Sequence, residues 1–519
     1  MNRRKFLMNS AAVVSAGGAI LGSDGFSRER PECNYRIVYN DDAYTLGRAS
    51  GLEDLLNKVV NRFVGTQVDA LFWSICHSDI YFFKTKTGER YGQHLKQFKD
   101  AGGVQLFEGL QSVLSDREDY VQAMADRSRE LGIDFFVSMR MNDCHDSPQG
   151  WEYSDTYSQF KKAHPELLLG ESVHPSFATG FDFAYAQSRE NKFKVIEEII
   201  LDYDIDGIEL DFLRHPAFFK PDEAYRNRHL ITGLVRRVRT LLNKVGKSRG
   251  KPIRLAVRVP SSFTIALKLG FYVPVWIEEG LPDVLTAGTP RGHELDLSMD
   301  EYIKATRGKK LTLLGQIGLY HPVKQTRATA LNYWNQGVNG IYLFNWYAPL
   351  NQEDRWRESL IEIGDPDLLK NRDKQYVIET QVGSLWERSH PKAQLPLKIE
   401  KLGLGGVARV QFFIGDDFKT AAKEGKAFDA KMVMRFEEVM DDDVLSFKVN
   451  GVVHSSQEGE MTYKPTLFGK QFWFHLPLKK NSLRAGTNQL EFVLSKRNPL
   501  LSAPLILAEM SVMLDYLEG

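Results

Sequence analysis

The sequence predicts a (β/α)8 barrel followed by an all-β sandwich. Three observations point there. Eight apolar, β-favouring runs alternate with amphipathic helical stretches over roughly 330 residues, the pattern and size of such a barrel. Most of those runs end in polar or charged residues, as expected where strand ends build a site. After Tyr376 the composition changes to short strand-like runs bounded by turn signals. A doubly wound open sheet is the rival for the first part; the polar C-terminal strand ends favour the barrel.

The elements follow in order. The first strand runs from Tyr35 to Tyr39 and closes on Asn40-Asp41-Asp42, before a helix from Leu52 to Phe63. The second, Ala70 to Ile75, ends in Cys76-His77-Ser78-Asp79. A helix from Tyr120 to Leu131 leads to the third, Asp134 to Met139, which ends in Arg140-Met141-Asn142-Asp143-Cys144-His145-Asp146. A long excursion from Ser147 to Phe183 is too aromatic for a linker and reads as a functional loop. The helix Glu190 to Leu201 feeds the fourth strand, Asp206 to Phe212. Strands five to eight are Ile253 to Val259, Asp283 to Ala287, Leu311 to Ile317 and Gly340 to Phe344. The helices between them are Tyr225 to Val245, Pro274 to Glu279, Met299 to Thr306 and Arg327 to Gln336.

Beyond Ser389-His390-Pro391 and Leu395-Pro396, strand-like runs cover Val407 to Ile414, Lys431 to Arg435, Val444 to Val449, Gln471 to Leu476, Gln489 to Leu494 and Met510 to Leu514. Asn450-Gly451 is a hairpin-turn signal. The expected division is a leader over residues 1–32, a barrel over 33–375 and a sandwich over 376–519.

Bulk properties exclude some classes. Lys plus Arg and Asp plus Glu both number 67, so no basic excess argues for nucleic acid and no acidic excess for disorder. Asn2-Arg3-Arg4-Lys5-Phe6-Leu7 precedes an Ala/Gly-rich apolar run, the pattern of a twin-arginine export signal. That run is too short and too weakly apolar for a stable membrane span; an uncleaved anchor is the alternative. The expectation is a periplasmic or secreted bacterial protein without membrane insertion once the signal is removed. Three cysteines are too few for a disulfide scaffold. Cys76 and Cys144 end neighbouring strands, where a disulfide or, with His77 and His145, a zinc site are the alternatives. The spacing matches no closed metal motif, so no metal and no cofactor are expected.

The chemistry-bearing stretch is Asp206-Gly207-Ile208-Glu209-Leu210-Asp211-Phe212-Leu213-Arg214-His215-Pro216. Alternation puts Glu209 and Asp211 on one face of the fourth strand, with Asp211 nearer the mouth. Charges in such a place are paired or used. Arg140, Arg214 and Arg258 are candidate partners for the acids, and a Glu209–Arg258 ion pair is one structural alternative. Glycoside cleavage needs two carboxyl groups. Asp211 is the candidate nucleophile or base; Glu294, after the sixth strand, is the candidate proton donor, with Asp143 its rival. The candidate substrate-binding set is Glu209, Arg214, His215, Trp73, His77, Arg140, Asn142, His145, Arg258, Tyr320, Asn345 and Trp346. Trp73, Tyr320, Trp346 and Tyr347 are candidate platforms for sugar rings, with packing as the alternative. Arg140, Arg258 and Arg291 can instead serve an anionic substituent.

Tyr203, Asp206, Gly207, Ile208 and Asp211 match the Tyr-x-x-Asp-Gly-Ile-x-x-Asp pattern of the glycosyl hydrolase-like family ten, which this chain resembles from about Tyr35 to Pro349. Val257-Arg258-Val259-Pro260 and the stretch from Trp334 to Asn345 are also similar to its exported bacterial members. Glu209 departs from the residue common at its position. The resemblance implies a (β/α)8 barrel that hydrolyses O-glycosidic bonds of an oligo- or polysaccharide. The carboxy-terminal part resembles accessory β-sandwiches. A non-catalytic carbohydrate-binding barrel, or a metal-dependent hydrolase using His77, His145 and Asp211, are the alternative functions.

Overall fold

The computed structural model describes residues 34–114, 119–147, 154–170, 173–319, 321–347, 352–379, 393–399, 407–466 and 469–517. The leader, the Ser389-His390-Pro391 segment and Tyr320 lie outside them. Eight parallel strands close into a barrel: β1 (Ile37–Asp41), β2 (Val68–Ser74), β3 (Asp134–Arg140), β4 (Gly207–Asp211), β5 (Arg254–Pro260), β6 (Val284–Gly288), β7 (Thr312–Gly318) and β8 (Gly340–Phe344). Each strand pairs with its sequence neighbours, and β8 closes on β1 through Ile37↔Ile341 to Asn40↔Phe344. The fold class predicted from sequence is therefore the one observed.

Alternation sorts each strand's side chains between two cores. Val38, Ala70, Phe72, Phe136, Ala256, Val284, Leu314, Tyr342 and Phe344 fill the barrel interior. Leu71, Trp73, Val137, Ile208, Leu210, Val257, Leu285 and Ile341 belong to the cluster shared with the surrounding helices. Gly207 starts β4 where a Cβ would stand 2.1 Å from the Phe136 ring, so no larger residue fits without moving that ring.

The helices labelled here are α1 (Leu52–Val59), α2 (Ala101–Leu114), α3 (Tyr120–Glu130), α4 (Ala186–Asp202), α5 (Ala224–Arg249), α6 (Val273–Glu278), α7 (Asp300–Thr306), α8 (Val323–Gln336) and α9 (Glu353–Glu362). The sequence reading did not anticipate α2 or α9. Gly102 and Gly103 weaken the helical signal of α2, and its Gly109 lies so close to the Leu46 carbonyl that a Cβ would stand 1.8 Å from it. The excursion after β3 folds into short helical turns packed near the β3 and β4 ends. Asn142 anchors it, donating to the Phe181 and Ala217 carbonyls at 2.9 and 2.6 Å and accepting from the Phe181 N–H at 2.8 Å.

The carboxy-terminal part is a two-sheet sandwich. One sheet holds β9 (Lys374–Ile378), β10 (Leu397–Ile399), β12 (Phe428–Glu437), β15 (Glu460–Thr466), β16 (Gly469–Pro477) and β18 (Leu505–Tyr516). The other holds β11 (Val407–Ile414), β13 (Val444–Val449), β14 (Val452–His454) and β17 (Gly486–Lys496). Asn450 and Gly451, at φ 50° and 85°, turn β13 into β14, the left-handed pair that a two-residue hairpin needs. Barrel and sandwich belong to one compact unit. Ala328 of α8 is part of the sandwich core, Lys324 of α8 pairs with Asp515 at 2.5 Å, and Asn335 donates to the Gly415 carbonyl at 2.7 Å. Among the described residues, no helix is long and apolar enough to cross a membrane.

Candidate active site at the carboxy-terminal mouth of the barrel

Register brings the charged residues into one rung: Arg140 lies beside Asp211, and Asp211 beside Arg258. Arg258 is fully buried and satisfies its whole guanidinium. Nη1 donates to both Asp211 oxygens at 2.8 and 2.9 Å, Nε to Gln316 Oε1 at 3.0 Å, and Nη2 to the Thr289 and Pro290 carbonyls at 3.0 Å. Its guanidinium carbon also stands 3.7 Å from the centre of the Phe344 ring. Asp211 Oδ1 accepts two more bonds, from the Leu213 and Arg214 backbone N–H groups at 2.9 and 3.1 Å. Oδ2 keeps only the Arg258 contact among the described residues. The Glu209–Arg258 ion pair weighed from sequence does not form, because Asp211 takes that guanidinium.

Glu209 sits one layer deeper, beside Ser138 in the register. Ser138 and Tyr342 donate to its Oε2 at 2.5 and 3.0 Å, while Oε1 has no partner. Burial first, then the neighbouring Asp211 charge, push its pKa up to about 8. Glu209 is thereby biased toward its neutral form, which makes it a poor counter-ion.

Glu294 follows β6 and is half-buried. It accepts from Thr289 Oγ1, whose own carbonyl accepts from Arg258. Asp211 and Glu294 are thus linked along the β4–β5–β6 side of the mouth by one guanidinium and one threonine. Asp143 is different. Arg140 Nη1 reaches its Oδ2 at 3.2 Å, and the His145 backbone N–H and Nδ1 reach its Oδ1 at 3.0 and 2.5 Å. Burial raises the Asp143 pKa, but His145 and His215 more than offset it and the net value falls well below the ordinary range. His145 and His215 are themselves driven down, chiefly by burial, His215 to about 4. Each ring accepts a hydrogen bond at one nitrogen, His145 from Arg214 and His215 from the Cys144 N–H, so neither is an imidazolium and the charged contact to Asp143 is the Arg140 ion pair.

Two acids the sequence reading passed over stand at the end of β1. Asp42 accepts from Arg140 at 3.1 Å, from Asn345 Nδ2 at 2.6 Å and from the Tyr347 hydroxyl. Asp41 is buried beside it, and desolvation followed by the Asp42 charge push its pKa up to about 7. The signal was available: both follow an apolar run, as Asp211 does, but their partners are some 300 residues away (303 for Asn345, 305 for Tyr347).

Several expected ligand-binding residues do not reach the mouth. Trp73 alternates with Phe72 and points outward into the helix-facing core, fully buried. Trp346 is also fully buried: Asn345 takes φ 47°, and the ring stacks near Trp356 under α9. Neither offers a face to a sugar. The side-chain bonds that the structure shows for Asn142 go to backbone, at Phe181 in the excursion and at Ala217 after β4. Arg140 is committed to Asp42 and Asp143. His77 Nε2 faces the Asp42 carbonyl at 3.1 Å. Asn345 Oδ1, by contrast, has no partner among the described residues. Cys76 and Cys144 are free, buried thiols, so the disulfide weighed from sequence is absent.

Among the described residues one group of three has metal-ligand spacing, Asp143, His145 and His215 rather than His77, His145 and Asp211. Its donor atoms are already used. Arg214 Nη2 donates to His145 Nε2 at 2.8 Å, which leaves the His145 proton on Nδ1, facing Asp143. Arg140 holds the carboxylate. Two guanidiniums in contact with the trio fit an anion better than a cation.

No family model matches the chain, and no curated protein matches it. Solved structures with partial similarity include glycoside hydrolases. A variant of the family 36 alpha-galactosidase AgaA from Geobacillus stearothermophilus, in complex with raffinose, is 13% identical with a TM-score of 0.35, covering 87% of this chain and 56% of that one. The chitinase ChiW from Paenibacillus sp. FPU-7 is 11% identical with a TM-score of 0.39, covering 64% and 32%. A family 18 N-acetylglucosaminidase from Paenibacillus barengoltzii is 12% identical with a TM-score of 0.36, covering 63% and 99%. This chain thus spans little more than half the length of the alpha-galactosidase. The scores carry no argument about chemistry, which rests on the mouth itself.

Proposed function

We propose that the protein is an exported glycoside hydrolase of the glycosyl hydrolase-like family ten kind, acting on an oligo- or polysaccharide. Asp211 is the nucleophile or base and Glu294 the proton donor. The observation that carries this reading is the Asp211–Arg258–Thr289–Glu294 chain at the carboxy-terminal mouth, where barrel sites are built. Arg258 and two backbone N–H groups orient Asp211, and Oδ2 is the oxygen left to face a substrate. Glu294 is more accessible than Asp143, and Asp143 is held as a carboxylate, the wrong form for a donor.

The reading is tested on aryl glycosides. Asp211→Asn abolishes turnover while the far-ultraviolet spectrum is unchanged. Glu294→Gln lowers kcat about a hundred- to ten-thousand-fold on substrates with poor leaving groups and far less on activated ones, as loss of a proton donor does. Full activity of Asp211→Asn overturns the proposal. A second donor is favoured by one observation, the raised pKa of Asp41. If Asp41→Asn, and not Glu294→Gln, shows the leaving-group dependence, Asp41 is the acid.

A further inference from the structure

Arg214 stands out among the guanidiniums of the mouth. Asp42 and Asp143 are both paired with Arg140, and Asp211 with Arg258. Among the described residues no carboxylate lies within 4 Å of Arg214. Its partners are two imidazoles, His145 Nε2 at 2.8 Å from Nη2 and His215 Nε2 at 3.3 Å from Nη1. The first is a sound hydrogen bond, because His145 carries its proton on Nδ1. The second is not. The Cys144 backbone N–H points at His215 Nδ1 at 3.1 Å, so that nitrogen is the acceptor and the ring proton sits on Nε2. Asp143 Oδ2 lies 3.7 Å from the same Nδ1, beyond hydrogen-bond reach, and does not change the tautomer. His215 Nε2–H and Arg214 Nη1–H therefore face each other, two donors with no acceptor between them.

Burial first, then the like charge of Arg140 and, less, that of Arg291 lower the Arg214 pKa to about 10, against the opposing pull of Asp143 and Asp42, two acids that Arg140 already pairs. Arg291 is exposed on the loop after β6, on the same loop as Glu294. The Arg214 backbone N–H is bonded to Asp211, so this pair of donors follows the proposed nucleophile by three and four residues.

We infer that the mouth holds an oxyanion subsite formed by Arg214 and His215, with Arg291 at its rim, and that the glycan it takes carries a carboxylate or sulfate group on the sugar bound beside Asp211. An oxygen of that group accepts from His215 Nε2–H and Arg214 Nη1–H together, replacing the donor–donor contact with two charge-assisted bonds. This rests on the glycosidase reading for its substrate, but the subsite can be tested without turnover.

Matched aryl glycosides give the first measurement: glucoside against glucuronide, and galactoside against its 6-sulfate. The wild type prefers at least one anionic member of these pairs. Arg214→Gln lowers that preference in kcat/KM by about 10- to 100-fold, the range for hydrogen bonds to charged groups. Arg214→Lys, which keeps the charge without the fork, retains part of it, and a melting curve of each variant checks folding. A carboxylate-only or sulfate-only preference identifies the group. Equal rates on neutral and anionic members, or equal loss on both in Arg214→Gln, overturns the subsite. If nothing is cleaved, calorimetry with uronate-containing, sulfated and neutral oligosaccharides decides. Anion-selective binding that Arg214→Gln removes sustains the subsite while the glycosidase reading falls; binding without selectivity, or none, overturns it.

Discussion

The Asp211–Arg258 pair sets a stability test that does not depend on any substrate. Both groups are essentially out of solvent, and one guanidinium makes five hydrogen bonds: two to Asp211 and one each to Gln316, Thr289 and Pro290. Arg258→Met keeps an unbranched apolar stem but leaves a buried carboxylate with only two backbone donors. Breaking a buried pair from one side costs about 3–5 kcal/mol. For a chain of this size that lowers the thermal midpoint by on the order of 3–5 °C at pH 7. Asp211→Asn strands the guanidinium instead and is destabilised in the same sense. The double variant leaves neither charge, so its loss is smaller than the sum of the two single losses. The cycle then returns a coupling of at least about 2 kcal/mol. Melting curves of the four proteins, followed by near-ultraviolet circular dichroism, supply the numbers. If the two losses simply add, or Arg258→Met falls within about 1 kcal/mol of wild type, the pair does not organise the mouth as described.

Other consequences are as direct. Glu209 and Asp41 have raised pKa values, about 8 and about 7, so the folded state keeps protons that the unfolded chain has lost above the ordinary carboxylate range. Their contribution to stability is full at acid pH and is lost as pH rises toward those values; Glu209→Gln therefore gains on wild type between pH 5 and pH 9, by about 2–4 kcal/mol in chemical denaturation. Asn142→Ala leaves the Phe181 N–H and carbonyl of the excursion and the Ala217 carbonyl without this partner, and limited proteolysis cuts within residues 147–183 at least several-fold faster than in wild type. Burial raises the thiol pKa of Cys76 to about 11 and that of Cys144 well above its usual value, so neither reacts with a thiol reagent until the protein is unfolded, and reductant does not move the melting point.

Much of the barrel was legible because its strands are nearly continuous apolar runs, which need no long-range information to recognise. The predicted β8 range matches the structure residue for residue, and the other seven differ at their ends by one or two residues. The position of Asp211 followed from alternation and from the end of the run. The same rule, applied to β2, puts Trp73 on the face opposite Phe72 and Ser74, and so excludes it from the mouth. What could not be read was partnership. Arg258 has Asp211, Glu209 and Gln316 within the same barrel interior, and only the register decides that Asp211 receives it. Asp41 and Asp42 owe their setting to Tyr347 and Asn345 at the far end of the barrel sequence. The tautomer of His215 depends on a single backbone N–H, that of Cys144 just after β3, a contact with no signature in the chain.

The helix α8 has a consequence for how the chain can be divided. It covers the outside of the barrel between β7 and β8, and it also contributes Ala328 to the sandwich core and Lys324 to an ion pair with Asp515. A barrel cut free after Tyr376 would carry a helix whose outer side was shaped to meet a sheet, with Ala328 laid open and Lys324 deprived of that partner. The carboxy-terminal sheets are thus less a cargo on a tether than part of the casing. Exchange of this module between barrels would have to carry α8 along, and a shortened protein should be judged by its tendency to aggregate before its activity is judged at all.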